Sequence, residues 1–189
     1  MTRHIARGLV ACAFAFAATA PAFAADLTGT SVDVALEFPS PGAILASRTV
    51  TVGAGAEISC PGGSAGPDVC VGFQVGASFD LGANSITLDI DSGSSSWNAV
   101  AFNGYRFDNL AAGGAWSGYT LSTNFIGLDD SRITFSPDTI DINMQGITAS
   151  AGQYFTLTLQ TAAVPEPENL ALMLAGLGAL AGLARRKRA

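Results

Sequence analysis

Between Ala25 and Ala163 apolar and polar residues change places with a period of two. Val32, Val34, Leu36 and Phe38 alternate with Asp33, Ala35 and Glu37, as in a strand with one face in a core and the other in water. Pro39, Pro41 and Gly42 end that run. Similar short runs follow at ILASRTVTV (44–52), VCVGFQVG (69–76), SITLDID (85–91) and NAVAFNGYRF (98–107). GYTLST (118–123), SRITF (131–135), TIDINM (139–144) and YFTLTLQ (154–160) continue the series. SGSSS, AAGGA, SPD and SAG stand between them as turn chemistry. No stretch carries a capped apolar stripe at the helical period. Short strands about ten residues apart with tight connections predict an all-β body. The expected architecture is a single antiparallel β-sandwich, jelly-roll or immunoglobulin-like.

Both ends break this pattern. GLVACAFAFAATA (8–20) is continuously apolar, follows the basic MTRHIAR and precedes the A-x-A site Ala22-Phe23-Ala24. That order predicts a Sec-type signal peptide over residues 1–24, handled by the secretion machinery and cut by signal peptidase before Ala25. Leu9-Val10-Ala11-Cys12 has the outline of a lipoprotein acylation site, but the apolar run continues past Cys12, which argues against lipidation. At the other end, Leu170 to Ala184 contains only Leu, Ala, Gly and Met, and Arg185, Arg186, Lys187 and Arg188 follow. A helix over 170–184 would be about 22 Å long, short of the ~30 Å hydrocarbon core of a bilayer. It would sit there only with thinning or with the basic residues snorkelling. The cluster 185–188 would hold the C-terminus in the cytoplasm and leave the body outside. Gly178 and Gly182 have G-x-x-x-G spacing, which apolar helices rich in small residues carry without necessarily pairing. Three segments result: a signal peptide (1–24), an exported body (25–163) and a C-terminal signal (164–189).

Charge sharpens the division. Arg48, Arg106 and Arg132 are the only cations from Ala25 to Ala163, against thirteen Asp and Glu, a net of about −10. Such a body repels phosphate backbones and anionic lipid, so nucleic acid is not an expected partner. Cys60 and Cys70 are the cysteines left once the signal peptide is gone. In an oxidising compartment such a pair closes a disulfide, and the glycines and prolines of CPGGSAGPDVC favour the turn it needs. Loop entropy makes it worth roughly 2.5–3 kcal/mol. A redox or metal role is the alternative, but the spacing is not C-x-x-C and no histidine accompanies it.

The remaining chemistry is narrow. The one histidine, His4, leaves with the signal peptide, and the one lysine, Lys187, lies in the tail. Ser-His-Asp, Cys-His and Ser-Lys catalysis are therefore absent from the body's repertoire, as is a histidine-ligated metal. Neither a phosphate-binding G-x-x-x-x-G-K-[ST] nor a strand-linked G-x-G-x-x-G is present. Carboxylates remain. Asp89 and Asp91 lie about 6.6 Å apart on one strand face, within the ~5–9.5 Å that glycoside hydrolysis uses, and Asp129 and Asp130 are adjacent. Solvated polar-face aspartates are the simpler expectation. Asp89-Ile90-Asp91-Ser92-Gly93 also begins like a calcium loop, but an EF-hand would need its bidentate Glu at Val100. Only an irregular calcium site on Asp89, Asp91, Asp129 or Asp130 is left open, and no other cofactor is expected. The aromatics are spread over nearly every run, as a two-sheet core requires. Trp97, Trp116 and Tyr119, flanked by small and polar residues, are the candidates for an exposed sugar platform.

The tail has a specific likeness. Val164-Pro165-Glu166-Pro167, a short apolar segment and terminal Arg185-Arg186-Lys187-Arg188 resemble the PEP-CTERM sorting signal of exported Gram-negative proteins, also labelled the C-terminal region of ice-binding proteins. The resemblance implies recognition by an exosortase, a membrane cysteine protease that cuts near the Pro-Glu-Pro residues and releases or re-anchors the body. Those residues would be a processing site, with the chain transiently in the inner membrane and then at the cell surface or outside. AFNGYRFDNL with DDSRITFSPDTIDINMQG resembles the β-rich domains often found ahead of this signal, which carry no activity over. The expectation is a non-catalytic surface or extracellular-matrix protein, associated with extracellular polysaccharide. Its alternatives are a carbohydrate-binding module, with or without calcium, and a carboxylate-only glycoside hydrolase.

Overall fold

A computed structural model describes residues 25–62, 68–161 and 173–178. The expected signal peptide (1–24), the motif residues Val164 to Pro167 and the cluster Arg185 to Arg188 lie outside them. Ala24–Ala163 forms one compact unit. Its strands are β1 (Ser31–Glu37), β2 (Ile44–Thr51), β3 (Ile58–Cys60), β4 (Gly76–Gly82), β5 (Ser85–Ser92) and β6 (Ser94–Ser96). They continue as β7 (Gly104–Asp108), β8 (Trp116–Thr123), β9 (Ile133–Phe135), β10 (Ile140–Asn143), β11 (Thr148–Ser150) and β12 (Tyr154–Thr161).

Every pairing is antiparallel. One five-stranded sheet has the order β2-β1-β7-β10-β9 and the other β3-β4-β5-β12-β8, with β11-β6 as a separate ribbon. The period of two explains why the sheets face each other. Val32, Val34, Leu36, Tyr105, Phe107, Ile140 and Ile142 turn one way from the first sheet, and all are buried. From the second sheet Ala77, Phe79, Leu81, Ile86, Leu88, Ile90, Phe155, Leu157 and Leu159 meet them in the same core. Phe79 on β4 stands 4.8 Å from Tyr105 and 6.2 Å from Phe107 on β7, ring centre to ring centre, which bridges the layers. Burying each such side chain contributes about 1.5–3 kcal/mol, so this interface holds the fold together.

The expected disulfide is present. Cys60 at the end of β3 and Cys70 in the 3-10 turn Asp68–Cys70 are bonded, with Cα atoms 5.3 Å apart, and both are buried. That bond also corrects one expectation. VCVGFQVG (69–76) is not a strand: its first two residues belong to the 3-10 turn, and Gly72 at φ +80° breaks the extended path. Phe73 and Val75 are nonetheless buried, which is why the run reads as apolar alternation. NAVAFNGYRF (98–107) shortens similarly, because only Gly104–Asp108 is extended. Residues 98–103 form a loop in which the Phe102 N–H donates to the Pro39 carbonyl at 3.0 Å. Conversely, SGSSS, read as a turn, supplies the three residues of β6, whereas SAG is the expected turn, with only its Ser150 ending β11.

In the tail only 173–178 is described as helix, with Met173, Leu174 and Leu177 exposed. Among the described residues no helix is long and apolar enough to cross a membrane.

Candidate functional site

The three candidate aromatics lie in different environments. Trp116, on β8, is 3% exposed, and its indole Nε1–H donates to the Leu110 carbonyl at 2.8 Å. Its polar edge is satisfied inside the protein, so it offers no face to a ligand. Tyr119, three residues on, lies half-buried against Phe135 of β9, ring centres 5.7 Å apart. It helps close the gap between the two sheets where β8 and β9 are edge strands. Burial raises its phenol pKa, and the Asp130 carboxylate adds to the rise.

Trp97 differs. It is half-buried and meets Phe73, Tyr105 and Phe125 edge-on, at centroid distances of 6.2, 6.5 and 6.1 Å. It lines a cavity of about 180 Å³. Leu36 of β1 and Phe38 just beyond it line one side, and Leu45 of β2 and Val71 form an apolar rim. Residues 72–74, which follow directly from disulfide-bonded Cys70, make one wall, and Ser95, Ser96, Trp97 and Asn98 make another. Asn103 and Tyr105 complete it. Sequence reasoning flagged Trp97 but missed Phe73, Asn98, Asn103 and Tyr105. The aromatic content of AFNGYRF was the available signal.

Tyr105 is fully buried, and its hydroxyl makes no hydrogen bond of ordinary geometry, with the Trp97 indole the polar group beside it. Burial pushes its pKa far up, offset in part by the neighbouring Trp97 indole. Asn103 is 8% exposed; its amide donates to the Asn98 carbonyl at 3.4 Å, and its backbone N–H donates to Asn143 Oδ1 at 3.2 Å. These bonds fix the loop that carries the polar side of the cavity. Among the described residues no charged side chain lines it.

A second, wider depression of about 470 Å³ is lined by Pro41, Phe102, Arg132, Asp141, Asn143 and Gln145, among others. Its cation is already engaged, since Arg132 Nη1 donates to the carbonyls of Asn143 at 3.2 Å and Gln145 at 2.8 Å. Beside it, Arg106 on β7 donates to Asp108 at 2.6 Å and to Asp141, directly opposite on β10, at 3.2 Å. Asp108 also accepts from the Thr139 hydroxyl at 2.6 Å. Burial pushes the Asp108 carboxyl upward, but the Arg106 and Thr139 hydrogen bonds together hold it below its ordinary value. Burial wins at Asp141, which is raised despite Arg106.

The carboxylate candidates line neither cavity. Asp89 and Asp91 project from the solvent face of β5, where burial and repulsion from Asp91 and Asp80 raise the Asp89 pKa. Asp129 caps the turn Asp130–Arg132 by accepting from the Ser131 N–H at 2.9 Å, and the Ser131 hydroxyl, which also donates to it, lowers its pKa most, followed by that N–H. Asp130 is exposed beside Tyr119. Among the described residues no group of three or more His, Cys, Asp or Glu is placed to hold a metal ion.

The family model of the PEP-CTERM protein-sorting motif matches residues 163–188. The tail carries a PEP-CTERM motif. The match begins just after the last strand, which ends at Thr161, and includes Pro165-Glu166-Pro167 and the basic cluster. No curated protein and no solved structure matches the chain. The PEP-CTERM motif therefore speaks for delivery, and the chemistry of the body rests on its own geometry.

Proposed function

We propose that this is an exported, non-catalytic surface or extracellular-matrix protein, sorted by an exosortase-type protease acting on its PEP-CTERM motif. The match over residues 163–188 carries the reading. An apolar segment over 170–184 would hold the chain in the inner membrane until processing, with Arg185 to Arg188 on the cytoplasmic side. The body would then reach the cell surface or the medium as a two-sheet sandwich of jelly-roll or immunoglobulin-like kind. A body without histidine or lysine, whose candidate carboxylates lie on solvent faces, supports a non-catalytic role.

A carbohydrate-binding module is the second reading, favoured by the Trp97 cavity. Among the described residues, neither of the two cavities holds a carboxylate pair for the hydrolase reading, and no ligands cluster for the calcium reading.

The test is processing in a host that carries the sorting protease, compared with the same host lacking it. The tail should be removed in the first and retained in the second. Pro165→Ala with Pro167→Ala should block removal; processing and location unchanged by the double substitution would overturn the reading.

A further inference from the structure

We infer that the Trp97 cavity is a binding site for one ring of a neutral sugar. The inference deepens the second reading above and rests on the matrix reading only for the source of the sugar. Charge comes first. The body is strongly acidic, yet among the described residues no charged side chain lines this cavity. A cation would find no counter-ion there and an anion no donor cation, so the ligand that fits is neutral. The walls then divide into two chemistries. Trp97 and Phe73 give aromatic surface, with Leu45 and Val71 at the rim, suited to the C–H faces of a pyranose. Asn98, Asn103 and Gln74 give amides, each both donor and acceptor, which matches hydroxyls that are themselves both.

Tyr105 supplies the second observation. A fully buried hydroxyl without a partner is costly and rare in a finished core. It borders this cavity beside the Trp97 indole, with no accessible surface of its own, so a ligand hydroxyl completes it once Trp97 gives way. Size sets the extent. At about 180 Å³ the cavity is smaller than the ~300–1,000 Å³ of sites for drug-sized molecules, so it holds a single ring rather than a chain. Neither Trp116 nor Tyr119 takes part, because one is committed to the Leu110 carbonyl and the other to Phe135.

The experiment uses the purified full chain and saturation-transfer NMR. The probes are glucose, galactose, mannose and N-acetylglucosamine, with glucuronate and glucosamine as charged controls, and cellobiose and maltose to separate a free sugar from a chain end. Saturable binding of at least one neutral sugar is expected, with neither charged control competing. Asn98→Ala and Gln74→Ala alter exposed side chains that the core does not need, and each should weaken binding about tenfold, the loss expected of one hydrogen bond. Tyr105→Phe should weaken it similarly while leaving the fold intact. A disaccharide that binds at least as well as its monomer assigns the site to chain ends; exclusive monosaccharide binding assigns it to free sugar. No saturable binding of any neutral sugar overturns the inference. So does equal binding of glucuronate or glucosamine, or affinity unchanged in all three variants. Tail processing is read separately, so failure here is distinguishable from failure of the sorting assignment.

Discussion

At the scale of single residues, Tyr105 concentrates the tension between stability and binding. Its ring fills the core between the sheets against Phe79, and its hydroxyl is buried without a partner. Leaving such a group unsatisfied costs about 1–3 kcal/mol. Tyr105→Phe keeps the ring and removes the liability, so the unliganded variant should be more stable by about 1 kcal/mol. Thermal unfolding should show the midpoint rising by ~2–4 °C for a chain of this size; a lower midpoint would mean that the hydroxyl has a partner in solution. Trp97 and Trp116 illustrate how much of the site was legible. Both are flanked by small and polar residues, and nothing local separates them. What separates them is a carbonyl six residues upstream, Leu110, that captures the Trp116 indole N–H. A hydrogen bond made by the fold is not visible in the string of residues around the tryptophan.

At the scale of elements, most strands readable in the sequence are apolar and polar alternations, whether they feed the core, as β1 does, or run exposed along an edge, as β2 does. β1, β2, β5, β8, β9, β10 and β12 fall within a residue or two of the runs that predicted them. β4 was legible and passed over: Ala77, Phe79 and Leu81 alternate with Ser78 and Asp80, but the run follows directly on the apolar 69–76 stretch. β6 and β11 were not legible, since serines and threonines dominate both and only the mutual pairing of Ser94–Ser96 with Thr148–Ser150 makes them strands. The disulfide misled in the opposite direction. It ties Cys70 to the end of β3 and turns an apparent strand into a 3-10 turn followed by the cavity wall at 72–74. The same geometry predicts its effect. Cys60→Ala with Cys70→Ala should cost roughly 2.5–3 kcal/mol by loop entropy, seen as a lower urea midpoint with little change in slope. Amide exchange should rise first at residues 71–75. Exchange rising uniformly across all strands would show that the bond supports the whole sandwich and not this wall.

At the scale of the molecule, the two proposed processing sites can be weighed against the edges of the compact unit, Ala24–Ala163. At its start, the Asp26 N–H donates to the Gly113 carbonyl and the Leu27 N–H to the Ala83 carbonyl, both at 2.7 Å, and Leu27 is fully buried. A cut before Ala25 spares these anchors, whereas a cut three residues later would remove a core side chain. At its end, β12 pairs through Thr161 with Trp116, and the PEP-CTERM match begins at residue 163. A cut near Pro165 would leave every pairing of β12 in place. Cuts at these two places would leave every described strand pairing and core side chain of the acidic segment in place. The exported protein should therefore have an intact mass that begins at Ala25, and it should unfold within about 2 °C of a form that retains the tail, a difference below ~1 kcal/mol. A mature mass that retained MTRHIAR would remove the argument for export. A large loss of stability on tail removal would mean that the tail belongs to the fold rather than to its delivery.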